Sequence, residues 1–151
     1  MRVVAQRVSE ASVSIKGKVV SQIEIGLLIL LGIEVSDTLD DIDYLVKKLN
    51  QLRIFSDSDG KMNCSIQEVK GRFLVVSQFT LHASTKKGNR PSFIRASAPE
   101  KAEELYVLFM KELEEFAEVP VQRGVFGADM AVHIVNSGPV TLILDSKDKS
   151  F

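Results

Sequence analysis

The sequence predicts a single-domain α+β fold over residues 1–151, and three observations point there. Short apolar runs bounded by turn residues fill the first third and the end of the chain, which is the pattern of strands. Two longer segments repeat their apolar residues at helical spacing. No internal repeat, low-complexity segment or linker divides the chain, and this length suits one core. The expected content is about eight strands and two long helices.

The elements follow in order. Val3, Ala5 and Val8, then Val13 and Ile15, read as strand, with Gly17-Lys18 as a hairpin turn before Val19-Val20. Leu27 to Ile33 is continuously apolar, as in a strand buried on both faces. Asp37 is placed to cap a first helix, with Asp40, Asp41 and Asp43 near its start and Lys47 and Lys48 near its end. Leu39, Ile42, Val46 and Leu49 form its expected buried face. Asp57-Ser58-Asp59-Gly60 is a turn between Ile54-Phe55 and Met62; its glycine comes too early for a calcium loop and no distal glutamate follows, so no metal is expected. Phe73 to Val76 is a core strand running into Ser77-Gln78-Phe79-Thr80-Leu81. Ser97-Ala98-Pro99-Glu100 fits a capping box for a second helix, whose stripe is Ala102, Leu105, Tyr106, Phe109, Leu113 and Phe116. Three strands close the chain, at Val119 to Val121, Met130 to Val135 and Val140 to Leu144.

Composition narrows the function classes. The longest apolar run has seven residues, Leu27 to Ile33, against roughly twenty needed to span a bilayer. The first residues lack the apolar core of a secretion signal, and Cys64 is the only cysteine, so a reducing cytoplasm is the expected home. A net charge of −1 argues against a general DNA or RNA binder. The charge is uneven, however: Val69 to Pro99 holds six basic residues and no acid, and Glu100 to Glu118 then holds seven glutamates. Such a patch suits a partner offering a few phosphates; a solvated loop beside an acidic helix explains it equally well.

Familiar catalytic sets are missing. There is no phosphate-binding glycine loop, dinucleotide fingerprint or paired-cysteine metal site, and no cofactor is implied. Alternation places His133 on one sheet face with Ala131 and Val135, as a satisfied sheet histidine. His82 lies near Ser77 and Thr80 in sequence, which allows a Ser/Thr–His esterase, but no acid nearby in the sequence would orient its ring. Two segments are more informative. Ser77, Gln78 and Thr80 put three polar side chains at the end of an apolar strand, where they need partners or solvent. In Asn136-Ser137-Gly138-Pro139, Gly138 permits close backbone approach and Pro139 removes an N–H.

Ser77-Gln78-Phe79-Thr80-Leu81, Lys87-Gly88-Asn89-Arg90-Pro91-Ser92-Phe93 and Val135-Asn136-Ser137-Gly138-Pro139-Val140-Thr141 together resemble the D-aminoacyl-tRNA deacylase family, first described as D-tyrosyl-tRNA deacylase. The likeness runs through Gln6-Arg7-Val8, Gly26-Leu27-Leu28, Arg53 to Asp57, Gly60 to Asn63 and Phe126 to Met130. It implies two mostly antiparallel β-sheets in a barrel-like β-β-α sandwich with two long helices. It also implies a homodimer acting on the tRNA 3′ acceptor end carrying a D-amino acid, and on mischarged glycyl-tRNA, without a cofactor.

The resemblance further implies active sites at the subunit interface. Ser77, Gln78, Phe79 and Thr80 of one copy would face Gly138 and Pro139 of the other, across a cis bond whose carbonyls receive the substrate's α-ammonium group. An L-amino acid so placed would drive its side chain into the wall. N–H groups of Phe79 and Thr80 would stabilise the oxyanion, and Thr80 would be a nucleophile or a group positioning water. Arg7 and Asn136 would support the Gly138-Pro139 loop, Met130 would line the pocket, and Lys86, Lys87 and Arg90 would meet tRNA phosphates. His82 stands where many relatives carry a small residue. Two other readings remain open, a Thr- or Ser-based small-ester hydrolase using His82 and a non-enzymatic tRNA-binding dimer.

Overall fold

The computed structural model describes residues 1–150. Strand β1 (Arg2–Ile15) turns through Lys16-Gly17 into β2 (Lys18–Ile23), and β3 (Gly26–Gly32) follows. Helix α1 (Leu39–Gln51), the short strands β4 (Phe55–Ser56) and β5 (Met62–Cys64), and β6 (Arg72–Ser77) come next. A 3-10 turn (Phe79–His82), helix α2 (Pro99–Phe116), β7 (Val121–Arg123) and β8 (Ala131–Asp145) complete the chain.

The main sheet runs β2-β1-β3-β6-β7, with β8 on β1, while β4 and β5 make a separate ribbon. β1 pairs antiparallel with β2, β3 and β8. β3–β6 and β6–β7 are parallel, as the intervening segments carrying α1 and α2 permit. β2 lies against β6 and β7 from the far end of the strand order, so the sheet curls nearly closed, as in a barrel.

β3 and β6 are buried on both faces because α1 and α2 cover one side and β1, β2 and β8 curl over the other. The larger core joins Leu27, Ile29 and Leu31 of β3 to Leu45 and Leu49 of α1 and to Phe109 and Leu113 of α2. Each such side chain contributes about 1.5–3 kcal/mol on burial. A smaller cluster, with Leu28, Leu74 and Val76, fills the opposite face.

Several local expectations are corrected. Thr38, not Asp37, caps α1, and its N–H donates to Asp41 Oδ2 at 2.8 Å. Asp37 is instead buried, accepting from the Met1 ammonium group and from the Glu34 N–H at 2.8 Å. Leu39 is exposed, and Leu45 takes its place on the buried face. Ala98 rather than Ser97 caps α2, with Pro99 pre-set as its first residue. Phe116 is exposed and Met110 buried in its stead. Val119 precedes β7, and the two expected C-terminal strands are one strand, β8.

Gly26 marks the tightest contact between β3 and β6. A Cβ there would stand 1.9 Å from the Arg72 carbonyl oxygen, in backbone that cannot yield. At Gly17 a Cβ meets nothing within 4 Å, and only its φ of +79° opposes substitution. Gly26→Ala is therefore expected to destabilise by about 3 kcal/mol, as severe overpacking does. Gly17→Ala should cost only about 1–2 kcal/mol. Urea denaturation midpoints check the order; equal losses at the two positions would contradict the packing at Gly26.

Candidate active site

The last ladder bond of β6 runs from Gln78 N–H to Leu31 O at 2.7 Å, and the chain then leaves the sheet. Leu81 N–H donates to Gln78 O at 3.2 Å and Ala83 N–H to Thr80 O at 3.0 Å, tightening residues 79–82 into the 3-10 turn. Gly32 makes room for it, since a Cβ there would meet Leu81 Cβ at 2.9 Å and Gln78 O at 3.0 Å. Phe79 and Thr80 open the turn, where backbone N–H groups have no acceptor within it.

Gln78 Nε2 donates to Thr80 Oγ1, which fixes the hydroxyl's position. Phe79 is exposed and packs edge-on against Phe93, ring centroids 5.0 Å apart. From below, Tyr106 of α2 donates its hydroxyl to Val75 O of β6 at 3.2 Å. Burial pushes the Tyr106 phenol up to about 12, so it stays a neutral donor.

A cleft of about 440 Å³ opens beside this turn. Ser77, Gln78, Phe79, Phe126 and Met130 line it, together with Val76 and Val132. Its apolar walls and few polar groups match a small-molecule site. Asp129 and Ser97 also line it, and the Ser97 hydroxyl is buried with no hydrogen-bond partner among the described residues. The sequence pattern marks Ser97 only as a helix cap, and nothing local in it signals a place beside the cleft.

The second segment lies elsewhere. β1 and β8 pair from Asn136 opposite Val8 to Thr141 opposite Gln6, so residues 137–140 bulge from the ladder with only Arg7 across from them. The Gly138–Pro139 peptide is cis, and Gly138 has φ +130°, a conformation that disfavours any residue with a Cβ. Arg7 Nε donates to Ser137 O at 3.0 Å and Arg7 Nη1 to Ile54 O at 2.5 Å. Asn136 closes the bulge from the other side, accepting from Val140 N–H at 3.0 Å and donating to Thr141 Oγ1 at 3.1 Å. Gly138 and Pro139 are exposed, and neither lines the cleft beside Ser77.

The basic residues Lys86, Lys87 and Arg90 stand together on an exposed loop closed by Ser84–Ser92 backbone pairing. Among the described residues none of the three has an ion-pair partner. His133 is exposed on β8 beside Ala131 and Val135, not satisfied within the sheet.

His82 is 3% exposed with both ring nitrogens buried, and among the described residues neither makes a well-aligned hydrogen bond. An acid does sit near it, Glu34, whose Oε2 is 3.6 Å from Nδ1, brought there by the fold across 48 residues. Burial lowers the His82 pKa below its ordinary value, against the pull of the Gly32 backbone and Glu34 carboxylate, so the ring is neutral. Burial would raise the Glu34 carboxyl, but hydrogen bonds from Ser36 and Arg95 outweigh it and hold it below the usual range. No hydrogen bond joins His82 to Ser77 or Thr80, so the residues of a Ser/Thr–His esterase are present without its geometry.

Comparison with known proteins gives the family of the whole chain. A family model described as D-Tyr-tRNA(Tyr) deacylase matches residues 4–145. A D-aminoacyl-tRNA deacylase of Flavobacterium johnsoniae is 54% identical over 149 residues, covering 99% of both chains. The solved structure of a c-Myc DNA unwinding element binding protein is 41% identical, with a TM-score of 0.90, covering 96% of this chain and 98% of that one. A probable eukaryotic D-amino acid tRNA deacylase, 18% identical, shares the fold with a TM-score of 0.76 over 95% of this chain and 97% of its own. With the polar turn after β6 and the propped Gly138-Pro139 bulge both within the matched span, this chain belongs to the D-aminoacyl-tRNA deacylase family.

Proposed function

We propose that this protein hydrolyses the ester joining a D-amino acid to the 3′ end of tRNA, releasing D-amino acid and free tRNA. In the cytoplasm this would be a chiral proofreading step in translation, extending to mischarged glycyl-tRNA. The observation that carries the reading is the bulge at residues 137–140, held by Arg7 and Asn136 with Gly138 and Pro139 open to solvent.

The active unit is a homodimer. β8 is a 15-residue edge strand pairing only with β1, and Ile134, Val135 and Ile143 are exposed along it. A long apolar edge is a liability unless something covers it. A second copy would cover it and bring one bulge to the other copy's cleft, which lacks Gly138 and Pro139 of its own.

In such a site the bulge carbonyls accept hydrogen bonds from the α-ammonium group. Pro139 has no N–H to repel that cation. With the ammonium and ester both held, the two enantiomers differ only in where the side chain points: a D side chain leaves the pocket, and an L side chain meets the wall. Glycine has none, so it is accepted.

The terminal nucleoside would lie between Phe126 and Met130 in the cleft, beside Ser77. N–H groups of Phe79 and Thr80 meet the developing oxyanion; one such donor is worth on the order of 10²–10³ in rate. Thr80 Oγ1, oriented by Gln78 and with no base beside it, positions the attacking water. The 2′-hydroxyl of the terminal ribose assists the proton transfer. Lys86, Lys87 and Arg90 give affinity for acceptor-strand phosphates without reading sequence.

Incubated with matched D- and L-aminoacyl-tRNA, the protein should cleave the D ester about a thousandfold faster, equivalent to about 4 kcal/mol. Equal rates, or no cleavage, would refute the proposal. A Cβ on Gly138 would stand 2.9 Å from Arg7 Nη2 and from Val140 Cγ2. Gly138→Ala should therefore lower kcat/KM for D-aminoacyl-tRNA by roughly 10²-fold while the protein stays folded, because the loss is one of positioning. Unchanged kinetics in that variant would remove the bulge from the site.

A further inference from the structure

The loop after the 3-10 turn leaves at Ala83 and returns at Ser97, whose N–H donates to Ile33 O at 3.0 Å just beyond β3. Its return is fastened at several points. Val35 N–H donates to Arg95 O at 3.1 Å, and the Arg95 side chain grips Glu34 Oε2 from Nη2 at 2.6 Å and from Nε at 3.2 Å. Glu34 is itself buried, and its other carboxylate oxygen accepts from the Ser36 hydroxyl at 2.8 Å. Ser84 and Ser92 exchange backbone hydrogen bonds of 2.8 and 2.9 Å across the loop, and Ala96 N–H donates to Phe93 O at 2.9 Å. Phe93 thus stands between two fixed points, next to Ser92 and two residues before Arg95.

From there its ring reaches Phe79, with centroids 5.0 Å apart and planes inclined at 67°, an edge-to-face arrangement. Core packing does not account for the pair. Phe79 is 57% exposed and Phe93 38%, and neither ring belongs to either core cluster. Two large rings left partly in water and propped on each other fix a direction more than they add burial. Phe79 opens the turn immediately after the last ladder bond, made by Gln78 N–H. Tyr106 supports Val75 beneath and Gly32 leaves room behind, while Phe93 meets the turn from the loop.

We propose that Phe93 is a positioning residue, whose ring holds Phe79 in place and so keeps the backbone N–H groups of Phe79 and Thr80 in one direction for the oxyanion. This role rests on the hydrolysis proposed above. It is exerted in the transition state, because the charge those donors meet is absent from the bound ester. Loss of the ring therefore lowers kcat and spares KM, whereas damage to tRNA binding by the loop raises KM.

The constants kcat and KM for a D-aminoacyl-tRNA are measured on the full-length wild type and on Phe93→Ala, Phe93→Tyr and Ile94→Ala, the last at an exposed neighbour. Phe93→Ala should lose about tenfold in kcat with KM within about twofold, on the order of what an aromatic pair contributes. Phe93→Tyr keeps the ring and should retain the wild-type kcat, and Ile94→Ala should leave both constants unchanged. Backbone amide relaxation is recorded by NMR on the same samples. Order parameters at Phe79 and Thr80 should fall from about 0.85 to below about 0.6 in Phe93→Ala and stay high in Phe93→Tyr. Should Phe93→Ala fail to fold, Phe93→Leu, which keeps apolar bulk without the ring, takes its place with about a threefold loss in kcat.

An unchanged kcat in the ring-less variant overturns the role. So do amides as rigid as in the wild type, a rise in KM alone, an equal loss in Ile94→Ala, or a loss that Phe93→Tyr fails to rescue. Each of these leaves hydrolysis by the wild type, and with it the proposed function, intact. A wild type that leaves the D ester uncut removes the proposed function, and the part given to Phe93 falls with it.

Discussion

The hydrogen bond from Arg7 to the Ser137 carbonyl sits where β1 and β8 fall out of step. These are the longest strands in the chain, and their pairing ties its two ends together. Between Val8 and Gln6 the partner strand must fit more residues than β1 offers, and the excess is expelled as a bulge. An expelled loop of bare backbone would ordinarily be mobile. Here a guanidinium with a rigid fork of donors spans from Ser137 O to Ile54 O, and Asn136 stitches the neck. Gly138 is required because its φ of +130° disfavours any Cβ, which would also crowd Arg7 Nη2 and Val140. One charged residue on one strand thus determines the shape of the surface opposite it.

In the proposed mechanism, specificity and chemistry are carried on different surfaces. The turn after β6, held by Tyr106 beneath and by Gly32 behind, presents backbone donors and an oriented hydroxyl. The bulge leaves Gly138 and Pro139 exposed. In the proposed dimer a donor set meets an acceptor set only across the interface. A selector of this kind, built from main chain, would measure the configuration at Cα and be blind to what the side chain is.

Most of the fold was legible because it is written in local patterns. The apolar run at Leu27 to Ile33 became β3, and the periodicity of α1 and α2 located both helices. What escaped depends on contacts made at long range. Asp37 is a better cap than Thr38 by propensity, but the Met1 ammonium claims it. Ser97 is a better cap than Ala98, but its N–H is committed to Ile33 O and its hydroxyl is buried without capping the helix. Glu34 and His82 are far apart in sequence, so no spacing rule joins them. The segment Asn136 to Pro139 reads as a turn between two strands, and only the ladder to β1 reveals a bulge within one. The candidate site residues were reached through resemblance to a family, since polar residues at a strand end and a Gly-Pro pair are individually commonplace.

Whether the two surfaces work together across a dimer can be tested by mixing two crippled proteins. Thr80→Ala damages the turn and Gly138→Ala damages the bulge. In a dimer containing one of each, one site inherits both defects and the other inherits neither. Co-expressed in equal amounts, the pair should recover about one quarter of wild-type D-aminoacyl-tRNA hydrolysis, far above either variant alone. Activity no greater than the average of the two variants, in samples where mixed dimers are isolated by differential tags, would contradict a site shared between subunits.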